Sequence, residues 1–364
     1  MKKIGIITLN GNFNYGNRLQ NYALQKVIEK EGAQVDTILV DKYKKNNDGI
    51  SILIKRKIKK LLQNVQLYTP SYKYERMRLN KFIFFSKKFI KETNFYISDN
   101  NFQESKIKEY DYFVTGSDQV WNPAFNNGVS SYFLTFAPLE KRISYAASFG
   151  VSEIPPKYQA NYKEWLGNIS SLSVREQAGV EIINQLTGRK DVEVVLDPTL
   201  LLNSEDWLDI ASPHKHKPSS KYLLTYFLGD VSEETEKEIK SIAAHYSLEI
   251  IHLANKKDIH AYTADPSEFL DYINSSEVFL TDSFHGSVFS ILFRKNFVVF
   301  DRQSKGQSMN SRIDTLLNTF NLLDRKWKNI KNYESILNID YTNINIILNE
   351  EREKSLAFLR NSMK

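Results

Sequence analysis

The residues best placed for chemistry follow a short apolar run near position 280. Residues 278–281 predict a buried strand, and the apolar run from Val288 predicts a helix. His285 lies between the two, beside Asp282 and Ser283, which are residue types typical of a helix N-cap. A helix N-terminus carries free N–H groups and a partial positive charge, so it attracts anions. A histidine there can bind phosphate or transfer a proton.

Three further groups of polar residues follow predicted strands. The first, after residues 3–9, is rich in asparagine and glycine, and the second, after residues 112–115, offers donors, acceptors and an indole ring that suit a sugar. The third is Arg175, at the end of the predicted strand 171–174, where a guanidinium is a natural ligand of carboxylate or phosphate. Each group also has a purely structural alternative. These are, in the same order, a plain turn, a capped loop with a core tryptophan, and an ion pair. The candidate acceptor-binding residues are Asn14, Tyr15, Asn17, Arg18, Ser117, Asp118, Gln119 and Trp121.

A basic segment follows the last strand of this pattern. Arg302, Lys305 and Arg312 lie within residues 301–312 and could close over an anionic ligand, although a mobile basic loop is an equal alternative.

Several common sites are disfavoured by the sequence. The loop after the first strand lacks the Gly-x-Gly-x-x-Gly and Gly-Lys-Ser/Thr patterns of dinucleotide and nucleotide sites. Asp282, Ser283 and His285 are too close in sequence for hydrolase triad geometry, and no Gly-x-Ser-x-Gly motif occurs. The chain has no cysteine, and His214 and His216 lack other ligand-type neighbours, so we expect no metal and no resident cofactor.

Strand and helix patterns alternate along the chain and predict two α/β domains. Strands at 3–9 and 34–40, with a helix between them, form a β-loop-α-β unit of the kind that builds parallel sheets. The rhythm breaks at the Pro-containing stretch 211–220 and then restarts. We therefore expect two Rossmann-like domains facing a cleft, a GT-B-like architecture. The predicted parts are an N-terminal acceptor-side domain 1–210 with a basic helical insertion at about 42–105, a C-terminal donor-side domain 221–335, and a C-terminal helix within 336–364 that packs back on the first domain.

Charge is unevenly distributed along the 364 residues, whose net charge is +6. Residues 1–100 hold 20 Lys/Arg against 8 Asp/Glu, and the remainder holds 29 against 35. Within the basic part, residues 51–65 have the apolar spacing of an amphipathic helix. Peripheral contact with an anionic membrane and an ordinary solvated surface are both open, whereas no nucleic-acid motif occurs.

Composition and the N-terminus bear on location. The absence of cysteine fits a reducing compartment, and the apolar run at 4–9 is too short for a signal peptide. No apolar stretch has the length of a membrane span. We expect a cytoplasmic protein, with the inner face of the membrane as its second location.

Taken together in order, these motifs resemble the polysaccharide pyruvyl transferase family. The resemblance runs from residue 4 to about 312. Its motifs are Asn14-Tyr-Gly-Asn17 with Leu19-Gln-Asn-Tyr-Ala-Leu24, Gly116-Ser-Asp-Gln-Val-Trp121, Ser173-Val-Arg-Glu176, Asp197-Pro-Thr199 and Thr281-Asp-Ser-Phe-His-Gly286.

The resemblance implies a transferase that moves pyruvate from phosphoenolpyruvate to a pair of sugar hydroxyls. The product would be a pyruvate ketal on a cell-surface polysaccharide precursor, with an acceptor that can be lipid-linked. It implies catalytic roles for His285 and Arg175. The residues expected around the donor are Ser283, Phe284, Gly286, Ser287, Arg302 and Arg312.

One residue departs from the family pattern. Better-studied members carry arginine two places before the histidine, where this chain has Ser283. A glycosyltransferase that uses a nucleotide sugar, or a glycan-binding relative without activity, therefore stays open as an alternative.

Overall fold

The chain was analysed as a computed structural model that describes residues 1–41, 70–99, 102–126, 129–302 and 311–364. The basic segment 51–65, for which an amphipathic helix was predicted, lies outside these residues. The described residues form two parallel α/β sheets, as the sequence predicted.

The first sheet has seven parallel strands in the order β3-β2-β1-β4-β5-β6-β7. Its central strands are almost wholly buried because helices cover both faces, which is why they read as continuous apolar runs. The strands are β1 Lys3–Ile7, β2 Gln34–Val40, β3 Glu92–Ile97, β4 Tyr112–Thr115, β5 Arg142–Ala147, β6 Ser171–Val174 and β7 Val192–Val194.

The helices of the first domain follow the strand-to-helix rhythm. Asn14 caps the first of them, its side-chain oxygen accepting a hydrogen bond from the backbone N–H of Asn17 at 3.3 Å. The helices are α1 Tyr15–Lys30, α2 Pro70–Phe89, α3 Glu104–Ile107, α4 Pro123–Asn126, α5 Pro156–Gly167, α6 Gln177–Thr187 and α7 Ser204–Leu208.

The second sheet has four parallel strands in the order β11-β10-β8-β9. Its strands are β8 Tyr222–Tyr226, β9 Glu249–His252, β10 Val278–Thr281 and β11 Asn296–Val299. The helices of this part are α8 Glu233–His245, α9 Ile259–Tyr262, α10 Pro266–Ser275, α11 Phe284–Leu292 and α12 Ser311–Thr319.

Strand β3 corrects the prediction for residues 42–105. That segment was expected to be a helical insertion, but residues 92–97 form the edge strand of the first sheet. The strand alternates exposed and half-buried residues, as an edge strand does, so it lacks the apolar run that identified its neighbours. Helical structure in the same segment was predicted and is seen in α2.

The two domains share one apolar core. Tyr15 on α1 stacks on Phe269 of α10 with ring centroids 4.4 Å apart, and its hydroxyl donates to the Ala264 carbonyl at 3.1 Å. Arg78 on α2 donates to the Tyr262 carbonyl at 2.6 Å. Since these contacts are buried, they hold the second domain in one orientation over the first.

The last helix, α13 Thr342–Ser362, follows the second domain in sequence but lies on the first. Arg352 donates to the carbonyls of Leu200 and Leu202 at 2.6 and 2.7 Å. The Ser355 hydroxyl accepts a hydrogen bond from the Leu196 N–H at 2.9 Å. The chain therefore crosses between the domains twice, once before and once after the strands of the second sheet in sequence.

The linker 211–220 holds a buried histidine that lies close to two further histidines and a lysine. His214 is 4% exposed, and its ring lies near His216, which in turn stacks 4.0 Å from His260. Burial, with repulsion from Lys81 and these two histidines, lowers the pKa of His214 to about 4.

We expect His214 to make the protein less stable in mild acid. Between pH 6.5 and pH 4 the unfolded histidine binds a proton that the folded one excludes, so stability falls as the pH falls through this window. A His214→Asn variant keeps an acceptor for the His216 N–H and should lose about 2 kcal/mol less than the wild type between pH 7 and pH 4. Urea unfolding at both pH values measures this, and an identical pH dependence in the two proteins would contradict it.

Candidate active site

A cavity of about 720 Å³ lies where the carboxyl ends of the two sheets face each other. In open α/β sheets this edge is where ligands bind, because loops and helix N-termini converge there. Its walls come from the loops after β1 and β4 on one side and from the start of α11 and α12 on the other. Among the predicted site residues, those lining it are Asn14, Asn17, Asp118, Gln119, Ser283, Phe284, His285, Arg302 and Arg312.

The first turn of α1 divides its residues between cavity and core. Asn14 and Asn17 face the cavity, and the Asn17 amide donates to the Asp118 carboxylate. Arg18 was predicted to touch the acceptor, but it is fully buried, donating to the Leu9 carbonyl and forming an ion pair with Glu92, both at 2.9 Å. Its place in the core excludes direct contact with a ligand in the cavity.

Three other predicted acceptor residues also lie beneath the cavity surface. Tyr15 is buried in the contact between domains, and Trp121 packs in the core, its ring stacked on Phe133 with centroids 5.5 Å apart. Ser117 is buried too, and its hydroxyl donates to Asp197 at 2.8 Å. For Trp121 and Ser117, the alternative of a capped loop with a core tryptophan therefore describes the geometry, whereas Asp118 and Gln119 of the same segment line the cavity.

Backbone geometry at the end of β4 brings Asp118 to the cavity. Gly116 has φ +121°, and a Cβ there would lie 2.1 Å from the Tyr145 carbonyl, so only glycine fits. Asp118 itself has φ 70°, a conformation uncommon for residues with a side chain. Such strain is often kept at functional positions.

Arg175 joins two buried carboxylates below the cavity. Its guanidinium lies 2.6 Å from Asp197 and 3.3 Å from Asp118, and it stacks 4.2 Å above the Phe284 ring. Burial opposes all three charges, but their charged neighbours outweigh it. The two carboxylates raise the pKa of Arg175. His285 and then Arg175 lower the pKa of Asp197, and Arg175 and then His285 lower that of Asp118. Arg175 does not line the main cavity and holds two charges already, so the ion-pair alternative describes its geometry.

His285 faces this cluster from the second domain. Its Nε2 lies 3.7 Å from the Asp197 carboxylate and has no hydrogen-bond partner within the described part of the chain. The imidazole packs flat against α1 at Gly16. A Cβ at position 16 would lie only 2.1 Å from its Nδ1. Gly16 thus leaves the space that the ring occupies.

The N-terminal turn of α11 is tightly organised. The Ser283 hydroxyl caps it by accepting the Gly286 N–H at 3.2 Å, and the Ser287 hydroxyl donates to the Ser283 carbonyl at 3.1 Å. Gly286 and Ser287 are buried and do not line the cavity. The predicted donor residues of this turn that reach it are Ser283, Phe284 and His285.

Asp282 fixes Arg302 in the cavity wall. Its carboxylate accepts the N–H groups of Leu228 and Gly229 at 2.7 and 2.8 Å and pairs with Arg302 at 3.1 Å. Asp282 is buried and its oxygens are in use, so its function is to position the loop after β8 and the arginine.

Arg312 lies at the first turn of α12 rather than in a loop. It is 5% exposed and borders the cavity, yet it forms no ion pair with any other described residue. Burial, with the nearby charge of Arg175, lowers the pKa of its guanidinium to about 10, so it remains a cation at neutral pH. A buried arginine without a carboxylate partner is a strong site for an anion.

Asp197 and Gly16 have structural roles that the spacing of residues did not indicate. Asp197 stood out as part of a motif, and its place three positions after the end of β7 was the available signal. Nothing in the local pattern marked Gly16, because its importance arises from a ring 269 positions later in the chain. No group of acidic, histidine or cysteine side chains in the described residues has the arrangement of a metal site.

The two parallel α/β sheets and the cavity between their carboxyl ends define a GT-B-like fold. A sequence profile of the polysaccharide pyruvyl transferase family matches residues 14–304. The chain belongs to this family, whose members are transferases. None of the proteins of curated function is significantly similar to the chain in sequence.

Solved structures similar to the chain include enzymes that act on sugar nucleotides. The UDP-GlcNAc 2-epimerase of Methanocaldococcus jannaschii is 13% identical, with 94% of each chain covered and a TM-score of 0.48. A glycosyltransferase from Rickettsia africae is 14% identical, covering 99% of this chain and 97% of the other, with a TM-score of 0.42. At these values they carry no information on the substrate of this chain.

Removal of Arg175 should cost stability in a way that removal of Arg302 does not. Arg175→Met leaves Asp118 and Asp197 buried without their shared cation, and we expect it to lower the free energy of unfolding by about 3 kcal/mol or more. Arg302→Met leaves Asp282 with two backbone donors and should cost less than half as much. Equal losses in urea unfolding would show that Arg175 is not the structural centre of the site.

The contact between Gly16 and His285 can be tested by combining two substitutions. Gly16→Ala should destabilise the protein by about 1–3 kcal/mol, because the methyl group and the imidazole cannot share the space. In a His285→Ala background the same change should be neutral or stabilising by up to about 1 kcal/mol, as alanine favours a helix over glycine. Additive effects in this double-mutant cycle would contradict the contact.

Proposed function

We propose that the protein transfers pyruvate from phosphoenolpyruvate to two hydroxyl groups of one sugar and forms a pyruvate ketal. The observation that carries this proposal is Arg312, a buried cation at the cavity with no ion pair among the described residues. Arg302, His285 and the N-terminus of α11 border the same cavity. Together they favour a small ligand with more than one negative charge.

Phosphoenolpyruvate matches this side of the cavity because it carries both a phosphate and a carboxylate. Two arginines can bind the two anionic groups separately, and guanidinium is suited to bidentate contact with either. Ser283 stands where better-studied family members have arginine, and its hydroxyl is used as a helix cap. Arg302 and Arg312 then supply the positive charge that this chain lacks at position 283.

The opposite side of the cavity is suited to a sugar. Asn14, Asn17 and Gln119 offer neutral donors and acceptors. Asp118 is a carboxylate that can accept a hydrogen bond from a sugar hydroxyl. Tyr96 and Phe125 add apolar surface at the rim. The cavity thus places cations from the second domain opposite hydroxyl-binding groups from the first.

The reaction needs one proton donor and two attacks on the same carbon. A proton adds to the methylene carbon of phosphoenolpyruvate, and the adjacent carbon becomes an oxocarbenium-like centre that the first sugar hydroxyl attacks. The C–O bond to phosphate then breaks, and the second hydroxyl closes the ketal. The two hydroxyls release two protons, of which one balances the proton on the new methyl group and the other leaves with inorganic phosphate.

His285 is assigned the proton transfer, and the arginines are assigned charge neutralisation. The imidazole faces the cavity, and its Nε2 lies 3.7 Å from the Asp197 carboxylate. Arg302 and Arg312 offset the charge that develops on the leaving phosphate. Arg175 does not contact the substrate in this mechanism. It holds Asp197 and Asp118 in place and is therefore a positioning residue.

The acceptor is proposed to be a precursor of a cell-surface polysaccharide, carried on a lipid. This proposal extends to the chain what its family name states about polysaccharide, and it includes a reaction on the cytoplasmic side of the membrane. No helix in the described residues is long and apolar enough to cross a bilayer, so any membrane contact made by them would be peripheral.

The test measures donor binding and turnover separately. Calorimetry with phosphoenolpyruvate alone should show binding to the wild type and about 10–100-fold weaker binding to Arg312→Met, since a charge-assisted contact is lost. His285→Asn should bind within about tenfold of the wild type but release phosphate at least 100-fold more slowly with a sugar acceptor.

The matched control for Arg312→Met is Arg360→Met, which removes an exposed arginine paired with Glu31 on the surface. It should leave donor binding unchanged. Absence of phosphoenolpyruvate binding to the wild type would overturn the proposal. Release of a nucleoside diphosphate from a nucleotide sugar would assign the cavity to glycosyl transfer instead.

A further inference from the structure

We propose that the outer face of α2 docks on an anionic lipid surface. This face, called the α2 face below, consists of side chains that share one side of the helix at spacings of three and four residues. They are Lys73, Arg76, Met77, Asn80 and Phe84.

Large apolar side chains project from the α2 face. Phe84 is 65% exposed and Met77 is 39% exposed. Residues seven apart lie on the same side of a helix, two turns from each other, so the pair forms an apolar stripe rather than two isolated side chains. Such side chains enter the boundary between headgroups and acyl chains when a helix lies on a membrane.

The charge of α2 matches a partner that is negative. The helix holds six basic residues and one acidic residue, Glu75, which forms an ion pair with Lys256. Of the basic residues, Arg78 is buried and Lys81 pairs with Glu268 at 2.8 Å. The four that remain are exposed and form no ion pair with other described residues: Lys73, Arg76, Lys87 and Lys88.

The inner side of α2 is fixed, so docking would orient the whole molecule. Phe82 and Phe85 are buried in the core, and Arg78 donates to the Phe13 carbonyl at 3.1 Å and to the second domain through Tyr262. A helix pinned to both domains cannot turn independently of the site. Contact along its outer side therefore sets the direction in which the cavity faces.

A side cavity of about 290 Å³ connects α2 with the main cavity. It shares Asn10, Val40 and Tyr96 with the main cavity and is bounded on α2 by Ile83 and Lys87. If the proposed function holds, the sugar of a lipid-linked acceptor would enter the main cavity while its phosphate groups pass Lys87. The docking itself rests on the charge and the apolar stripe and does not require that function.

A second copy of the chain fits the α2 face less well than a lipid surface does. Face-to-face pairing would set two faces of the same positive charge against each other, and like charges repel. An anionic bilayer instead supplies negative charge at the headgroups and an apolar layer beneath, which is the combination this face presents.

The test is cosedimentation of the full chain with vesicles of phosphatidylglycerol and phosphatidylcholine, and with vesicles of phosphatidylcholine alone. Binding should occur with the anionic vesicles and weaken as salt is added. Met77→Ser/Phe84→Ser should weaken it about tenfold or more, because the apolar stripe is lost. Lys73→Gln/Arg76→Gln should weaken it about 30-fold, as each basic residue near an anionic surface contributes about fivefold.

Matched controls lie on other helices. Lys237→Gln/Lys240→Gln removes two exposed cations from α8, and Ile346→Ser removes a side chain of α13 that is 57% exposed. Both should bind vesicles as the wild type does, and thermal unfolding of each variant shows whether it is folded.

Other outcomes would overturn the docking proposal. These are absence of binding to anionic vesicles, equal loss in the control variants, or a wild-type dimer that Met77→Ser/Phe84→Ser converts to a monomer. Binding of the chain to an acidic protein but not to anionic vesicles would also overturn it. Donor binding measured with phosphoenolpyruvate should be unchanged in the Met77/Phe84 variant, so failure of the docking and failure of the proposed function are distinguishable.

Discussion

The arrangement of the site depends on a buried cation held between two carboxylates. Arg175 binds Asp197 and Asp118, which come from the ends of different strands of the first sheet. Charges of this kind are expensive to remove from water, and they are stable here because each has a partner at short range. Asp118 in turn holds Asn17 at the cavity wall, and Asp197 faces His285. The cluster therefore links the loops of the first domain to the histidine of the second.

The remaining cations are distributed according to whether they have partners. Arg18 and Arg78 are buried and bonded to carbonyl or carboxylate groups of the protein, so they stabilise the fold. Arg302 pairs with Asp282, and Arg312 is buried beside the cavity with no carboxylate partner among the described residues. The proposed capacity to bind an anion therefore centres on Arg312, which borders the cavity from the second domain.

Much of the fold could be predicted from the sequence because parallel strands are buried on both faces. Strands β1, β4 and β10 are largely apolar and were predicted, whereas β3 alternates at the edge and was taken for part of a helical insertion. At the site, the strand-to-helix junction at His285 was predictable from capping residues and period. The inward turn of Arg18, Tyr15 and Trp121 was not, since a residue next to a loop can face either cavity or core and tertiary packing decides which. The use of Arg175 as an ion-pair partner depended likewise on Asp197, which is 22 positions away.

Helix α13 has a consequence for motion. The chain leaves the first domain through residues 211–220 and returns to it before α13, where Arg352 and Ser355 contact the first domain, so two covalent connections join the domains. A single linker would allow the second domain to swivel, but a pair of linkers resists rotation about the line between the domains. The buried contacts of Tyr15 and Arg78 add to this restraint. The imidazole of His285 is therefore kept in register with the surface of Gly16, although the two residues belong to different domains.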